Sequence, residues 1–400
     1  MRRVRITPVA AAIGAAALAT AFAAGPAQAA KPSGAAPITH RTSERTCAAA
    51  PAGYAACLAR VVVNSKGTPK ANAQLAPNAT PAGYGPSDIQ SAYNLSGASG
   101  AGRTVAIVDA YDDPAAEQDL ATYRSTYGLP ACSSGNGCFS KVDEFGGSSY
   151  PSVDAGWATE ESLDLDMVSS ACPSCNILLV EADSASFADL GAAVDTAADL
   201  GAVAISNSYG GGDSGASSDY DHPGIAITAS TGDGGYGVES PASFDTVVAV
   251  GGTSLVQDGS ARGWSESAWS GAGSGCSTLN AKPSWQTSAT QCSGKANADV
   301  SAVADPSTGV AVYDSTPYEG QSGWQVYGGT SASSPIIASV YAMGGVNSSY
   351  AAQYTWQNSG GLNDVTSGSN GSCSPSVWCT SGPGWDGPTG LGTPNGVGSF

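Results

Sequence analysis

Histidine is nearly absent from this 400-residue chain: only His40 and His222 occur. A serine nucleophile normally hands its proton to an imidazole, so the scarcity leaves little room for ordinary histidine-based chemistry. Basic residues are also few. Fifteen Lys and Arg face 33 Asp and Glu, for a formal net charge of -18. Nucleic-acid binding calls for basic patches, and adhesion to anionic membranes calls for them too, so neither partner is expected. Past the N-terminus no long apolar run occurs, which argues against a spanning segment in the mature chain. No internal repeat is present. Nor is there a second CxxC or a histidine pair to complete a zinc site with Cys172-Pro-Ser-Cys175.

What is present begins with a basic start, an Ala-rich apolar stretch and an Ala27-Gln28-Ala29 ending. Residues 1–29 therefore read as a secretory signal peptide, and the mature protein is expected outside the cell, soluble and by default monomeric. Ten cysteines fall into close pairs: Cys47 with Cys57, Cys132 with Cys138, Cys172 with Cys175, Cys276 with Cys292, and Cys373 with Cys379. Export favours disulfides. Neighbour pairing is the simplest assignment, although connectivity does not follow from sequence.

Residues 30–85 are rich in Ala, Pro, Asn and Thr and read as a short pro-segment or linker with little regular structure. His40 falls within it and is a poor catalytic candidate. Residues 86–400 form the main domain. Apolar, β-branched strands over 104–109, 176–181, 203–208, 224–229 and 246–250 alternate with helices over 114–127, 157–170, 187–200 and 334–341. That alternation predicts an α/β domain with a mainly parallel central sheet flanked by helices, with ligands at the carboxyl ends of the strands. The stretch 257–300 reads as a polar loop region.

Three places carry chemistry. In 328–335, GGTSASSP, small residues turn the chain sharply and present Ser331. In 157–168, WATEESLDLDMV, Glu160 and Asp164 are carboxylates four apart on a helix. Like charges at that spacing cost a few tenths of a kcal/mol, so the pair either shares a proton, with one pKa raised, or lies on a solvated acidic face. Glu161 and Asp166 are the better fits to the solvated role. Asp233, in Ser-Thr-Gly-Asp-Gly-Gly, follows a strand and reads either as a turn residue or, held protonated, as a hydrogen-bond donor to an oxyanion. Asp109, with Asp112 and Asp113 nearby, reads as structural. His222, in an Asp-Tyr-Asp-His-Pro-Gly turn, reads as a surface residue.

Together these stretches resemble the sedolisin family, the serine-carboxyl peptidases related in fold to subtilisins. Gly329-Thr-Ser331-Ala-Ser-Ser-Pro335 looks like the nucleophile motif, Glu160-Glu-Ser-Leu-Asp164-Leu-Asp166 like the ExxLDxD helix, and Thr231-Gly-Asp233-Gly like the oxyanion loop. No His-Gly-Thr-His stretch of the subtilisin kind is present. The resemblance implies Ser331 as nucleophile, Glu160 as base and acid, Asp164 as its orienting partner and Asp233 as the oxyanion donor. Ile205-Ser-Asn-Ser-Tyr-Gly-Gly211 resembles the strand along which a peptide substrate lies, implying Ser206, Ser208, Tyr209, Gly210 and Gly211 as binding residues. It also implies a C-terminal loop holding one structural calcium through the Asp364 and Asp386 carboxylates and the Val365, Gly382 and Gly384 carbonyls, the oxygen set this ion prefers. The expected activity is an endopeptidase acting at acidic pH through an acyl-enzyme. A non-catalytic binding module keeping the fold, or an ester hydrolase using the same parts, stands as the alternative. The pro-segment, about 50 residues, is short for the family.

Overall fold

Alternate side chains of the strand Thr104–Ala110 enter two different cores. Val105 and Ile107 belong to one apolar cluster, Ala106 and Val108 to another. This is the two-residue period of a strand covered on both faces. Asn176–Ala182 divides in the same way, with Ile177 and Leu179 on one side and Leu178 and Val180 on the other.

The computed structural model describes residues 42–72, 79–345 and 348–400, all within one compact unit, Gly34–Phe400. The expected signal peptide and His40 lie outside the described residues. The eight-stranded central sheet runs Trp264–Ala268, Val248–Gln257, Ala226–Ser230, Ala204–Asn207, Thr104–Ala110, Asn176–Ala182, Phe139–Asp143, with Val300–Val303 also pairing to Val248–Gln257. Every pairing is parallel except that of Trp264–Ala268 with its neighbour.

The helices are α1 (Pro86–Ala92), α2 (Ala116–Thr126), α3 (Ala155–Ala171), α4 (Phe187–Asp199), α5 (Thr330–Gly344) and α6 (Ala351–Gln357). α4 covers one face through Leu190, Ala193, Val194 and Ala197. α3 and α5 cover the other through Leu163, Leu165, Val168, Ile336, Ile337 and Val340. Each such fully buried aliphatic side chain contributes about 1.5–3 kcal/mol. Among the described residues no helix is long and apolar enough to cross a membrane.

The α/β architecture expected from the strand–helix alternation is present. The cysteines join as sequence neighbours: Cys47 to Cys57, Cys132 to Cys138, Cys172 to Cys175, Cys276 to Cys292, and Cys373 to Cys379. No described cysteine is free, and Cys172 and Cys175, the half-site weighed for zinc, are joined to each other.

Three expectations are corrected. First, residues 42–72 are structured: Ser43–Arg45, Ala56–Cys57 and Arg60–Val62 are strands that pair into the sheets of the main domain. A short strand gains order from its partner, so composition alone does not reveal it. Second, 257–300 holds the strands Trp264–Ala268, Gly275–Ala281 and Gly294–Asn297; their Ser- and Asn-rich sequences obscure the strand pattern. Third, Glu161 and Asp166 are buried rather than solvated, because α3 is enclosed on every side.

Candidate active site

The site forms where α3 and α5 meet the carboxyl ends of the parallel strands. α3 starts cleanly: the Asp154 side chain accepts hydrogen bonds from Gly156 N and Trp157 N, at 2.9 and 3.0 Å, and so caps the helix. Glu160 and Asp164 then fall one turn apart, both fully buried. α5 starts at Gly329, whose φ of +100° lies in the region that favours glycine. Ser331 is the second residue of that helix, so its N–H has no intrahelical acceptor and lies at the positive end of the helix dipole.

Glu160, Asp164, Asp233 and Ser331 come together. The Ser331 hydroxyl donates to Ser208 O at 3.2 Å and lies close enough to the Glu160 carboxylate to favour its charged form. Burial, and then repulsion by Asp164, hold the Glu160 carboxyl well above the usual range. Burial alone pushes Asp164 up, while hydroxyls of Ser208 and Ser206 pull the other way; Ser208 Oγ donates to Asp164 Oδ2 at 2.7 Å. Glu160 Oε1 and Asp164 Oδ1 are both buried without a hydrogen-bond partner. Two orphaned carboxyl oxygens on one helix face fit a pair that shares a proton.

Asp233 follows the strand Ala226–Ser230. Its Oδ1 accepts from Thr330 N at 2.8 Å and Thr330 Oγ1 at 3.0 Å, and its Oδ2 is buried and unpartnered. Burial pushes this carboxyl up to about 6.

Asp109, expected to be structural, joins the same cluster. Burial and the neighbouring Asp164 and Glu160 raise its carboxyl well above the usual range, and both its oxygens lack partners. The strand period is the signal that finds it: Asp109 shares parity with Val105 and Ile107, which face α3 and α5.

The expected binding stretch, residues 205–211, spans the end of the strand Ala204–Asn207 and the start of the strand Tyr209–Gly212. Two of the residues assigned to it point inward. Ser206 Oγ meets Ser334 Oγ of α5 at 3.0 Å, and Tyr209 OH meets Asn207 Oδ1 and Tyr220 OH inside the core. Ser208 reaches Asp164, and Gly210 and Gly211 lie against residues 54–58. His222 lies on another surface, 2.8 Å from Asp195.

In the C-terminal loop the residues expected to hold calcium make two backbone-to-carboxylate contacts. Gly384 N donates to Asp364 Oδ2 at 3.0 Å, and Gly382 N to Asp386 Oδ2 at 3.1 Å. The expected donors are all oxygen, as this ion prefers, and Asp386 is buried with its Oδ1 accepting from Ser381 Oγ, Thr389 N and Thr389 Oγ1.

A hydroxyl at a helix start, facing paired acids at the carboxyl edge of a parallel sheet, defines a subtilase-type α/β protein. Correspondingly, residues 152–358 match the model of the subtilase family. The chain belongs to that family, within its sedolisin and kumamolisin branch. It is 28% identical to kumamolisin from Bacillus sp. (strain MN-32) over 80% of this chain and 63% of that protein. It is 33% identical to sedolisin from Pseudomonas sp. (strain 101) over 40% of this chain and 29% of that protein. Its fold is similar to that of Pseudomonas sedolisin, a serine-carboxyl proteinase solved with two molecules of pseudo-iodotyrostatin. That match has a TM-score of 0.65 and 25% identity, and covers 79% of this chain and 96% of the other. The chain thus spans less than two thirds of the length of these two curated relatives.

Proposed function

We propose that the chain is an exported serine-carboxyl endopeptidase that cleaves peptide bonds at acidic pH. The observation that carries this reading is the buried Glu160–Asp164 pair beside Ser331, with one orphaned oxygen on each acid. His222, the one histidine among the described residues, pairs with Asp195 instead, and none is needed if a carboxyl pair moves the proton.

In this reading Ser331 Oγ attacks the substrate carbonyl as Glu160 takes its proton. Asp164 holds the second proton of the pair and orients Glu160. The carbonyl oxygen turns negative and is met by the Ser331 N–H and by protonated Asp233, whose unpartnered Oδ2 supplies the donor. Glu160 then protonates the leaving amine, and water resolves the ester. The chemistry needs the pair half-protonated and Asp233 protonated, so activity falls once these carboxyls ionise. Raised carboxyl pKa values support a loss above the ordinary carboxylate range and a working range in mild acid.

A calcium ion in the C-terminal loop, held by Asp364, Asp386, Val365, Gly382 and Gly384, would supply loop order rather than chemistry. The five disulfides and the basic, Ala-rich N-terminus support export.

The test is hydrolysis of a denatured protein from pH 3 to pH 8 by the processed chain beside Ser331→Ala and Glu160→Gln. Loss of activity in both variants is expected. Full activity in either one removes the assignment, and inactivity of the native chain at every pH favours a binding module.

A further inference from the structure

Two glycines beside the candidate site leave room for one carboxyl group. A Cβ on Gly210, in the binding stretch, would run into Glu239 Oε2. A Cβ on Gly232, in the loop that carries Asp233, would meet Glu239 Cδ and Oε1 at 2.7 Å. The Glu239 carboxyl is therefore wedged between that stretch and that loop, and glycine at both positions makes the space. Its backbone is fixed in place. Glu239 and Ser240 pair antiparallel with Gly212 and Gly211, and Ser240 Oγ accepts from Ser214 N at 2.9 Å.

Leu58 shows what kind of group enters this space. Its carbonyl oxygen fills the point that a Cβ on Gly329 would take, and Asp233 Oδ2 lies 2.8 Å from that same point. The carbonyl thus sits where an oxyanion would meet its donor, and Leu58 stands in for the substrate residue on the acyl side of the scissile bond. From this residue Cδ1 comes within 3.3 Å of the Cβ point on Gly210 that Glu239 Oε2 also crowds. A side chain longer than leucine, in this register, runs up against the Glu239 carboxyl.

That carboxyl is free to bind a ligand. Glu239 is half-buried, and among the described residues no hydrogen bond reaches its side chain. The charged groups facing it are Asp233 from the loop and Arg45 from the strand Ser43–Arg45. The strand Tyr209–Gly212 brings none, since Tyr209 OH is bound to Tyr220 inside the core. Burial, and then repulsion by Asp233, push the Glu239 carboxyl up to about 7 against the pull of Arg45.

We propose that Glu239 is the specificity-determining residue of the acyl-side pocket, which takes apolar and neutral side chains in acid and gains lysine and arginine toward neutral pH. The inference rests on the peptidase reading above and names the substrate class of that same site. In mild acid the carboxyl is neutral, and a neutral group does not offset the desolvation of an ammonium or guanidinium. Once ionised, it accepts a charge-assisted hydrogen bond from either cation. Preference for a basic side chain therefore grows as Glu239 loses its proton, while an apolar side chain gains nothing from the change.

The test uses the processed chain and two quenched peptides, Ala-Ala-Ala-X-Ala-Ala-Ala, with X lysine or norleucine, which has lysine's carbon chain without its charge. The bond cut is identified by mass, and kcat/KM is measured from pH 4.5 to pH 7. Titration of Glu160, Asp164 and Asp233 affects both peptides and divides out of the lysine-to-norleucine ratio. Cleavage after X is expected, with that ratio rising at least about fivefold across the range as half of Glu239 ionises. In Glu239→Gln, which keeps the shape without the charge, the ratio should stay flat. Should that variant fail to fold, the native ratio still decides. A flat native ratio, an equal rise in Glu239→Gln, or cleavage at a bond other than that after X overturns the proposal and leaves the peptidase reading standing. So does hydrolysis of denatured protein with neither peptide cut. A chain that cuts neither protein nor peptide removes both readings.

Discussion

Asp233 offers the sharpest single perturbation, because its proposed role depends on a proton that asparagine does not need. In Asp233→Asn the carbonyl oxygen can take over the two hydrogen bonds from Thr330, at 2.8 and 3.0 Å. The amide nitrogen then occupies the place of Oδ2 and donates at every pH. The native carboxyl is held up to about 6. About nine tenths of it keeps the proton at pH 5 and about one tenth at pH 7. The assay is kcat/KM on a peptide substrate from pH 3.5 to pH 8 for both proteins, read as the ratio of variant to native. Titration of the Glu160–Asp164 pair affects both proteins and divides out. Below pH 5 the ratio should be flat and within about tenfold of unity. Above pH 6 it should climb about tenfold for each pH step, since only the native enzyme is losing its donor. Asp233→Ala, with no donor, should lose about 10²–10³ in kcat across the range. Parallel profiles for Asp233→Asn and the native enzyme would refute the idea that a protonated Asp233 stabilises the oxyanion.

Other expectations follow from the same geometry. Stability should fall as pH rises: burial raises the carboxyls of Asp314 and Glu181 to about 7, so the folded chain keeps protons that the unfolded chain releases. The contribution is complete below about pH 4 and lost as pH rises through about 7, on the order of 4 kcal/mol for a group like Asp314. Melting followed by circular dichroism should therefore give a Tm at pH 4 at least about 5 °C above that at pH 8, and equal values would contradict the burial argument. Gly329→Ala places a non-glycine residue at φ +100° and a methyl where the Leu58 carbonyl sits; peptide hydrolysis should drop at least about tenfold, with a lowered Tm. Chelation should lower Tm by about 3 °C if calcium is bound near a hundredfold above its Kd; an unchanged melt, with no metal found by elemental analysis, would remove the ion.

Much of this protein is written locally in its sequence. The α/β alternation, the acid pair one turn apart on a helix, the glycine-flanked serine and the neighbouring cysteines are all short-range patterns, and short-range geometry, 3.6 residues per turn and two per strand repeat, makes them legible. The chain could not reveal on its own which acids lose their water. Glu161 and Asp166 differ from exposed acids only because α3 is enclosed by the sheet and its neighbours, and Asp109 joins the cluster through strand parity combined with packing against α3. Nor does composition mark residues 42–72 as ordered. Ala56–Cys57 and Arg60–Val62 become strands only against partners more than a hundred residues away, and Ser43–Arg45 pairs in turn with Arg60–Val62. The resting of Ala59 on Glu160 is such a long-range contact, between positions 101 apart in the chain. Burial and pairing across that distance depend on the folded whole, so tertiary structure alone sets the pKa values and fills the cleft.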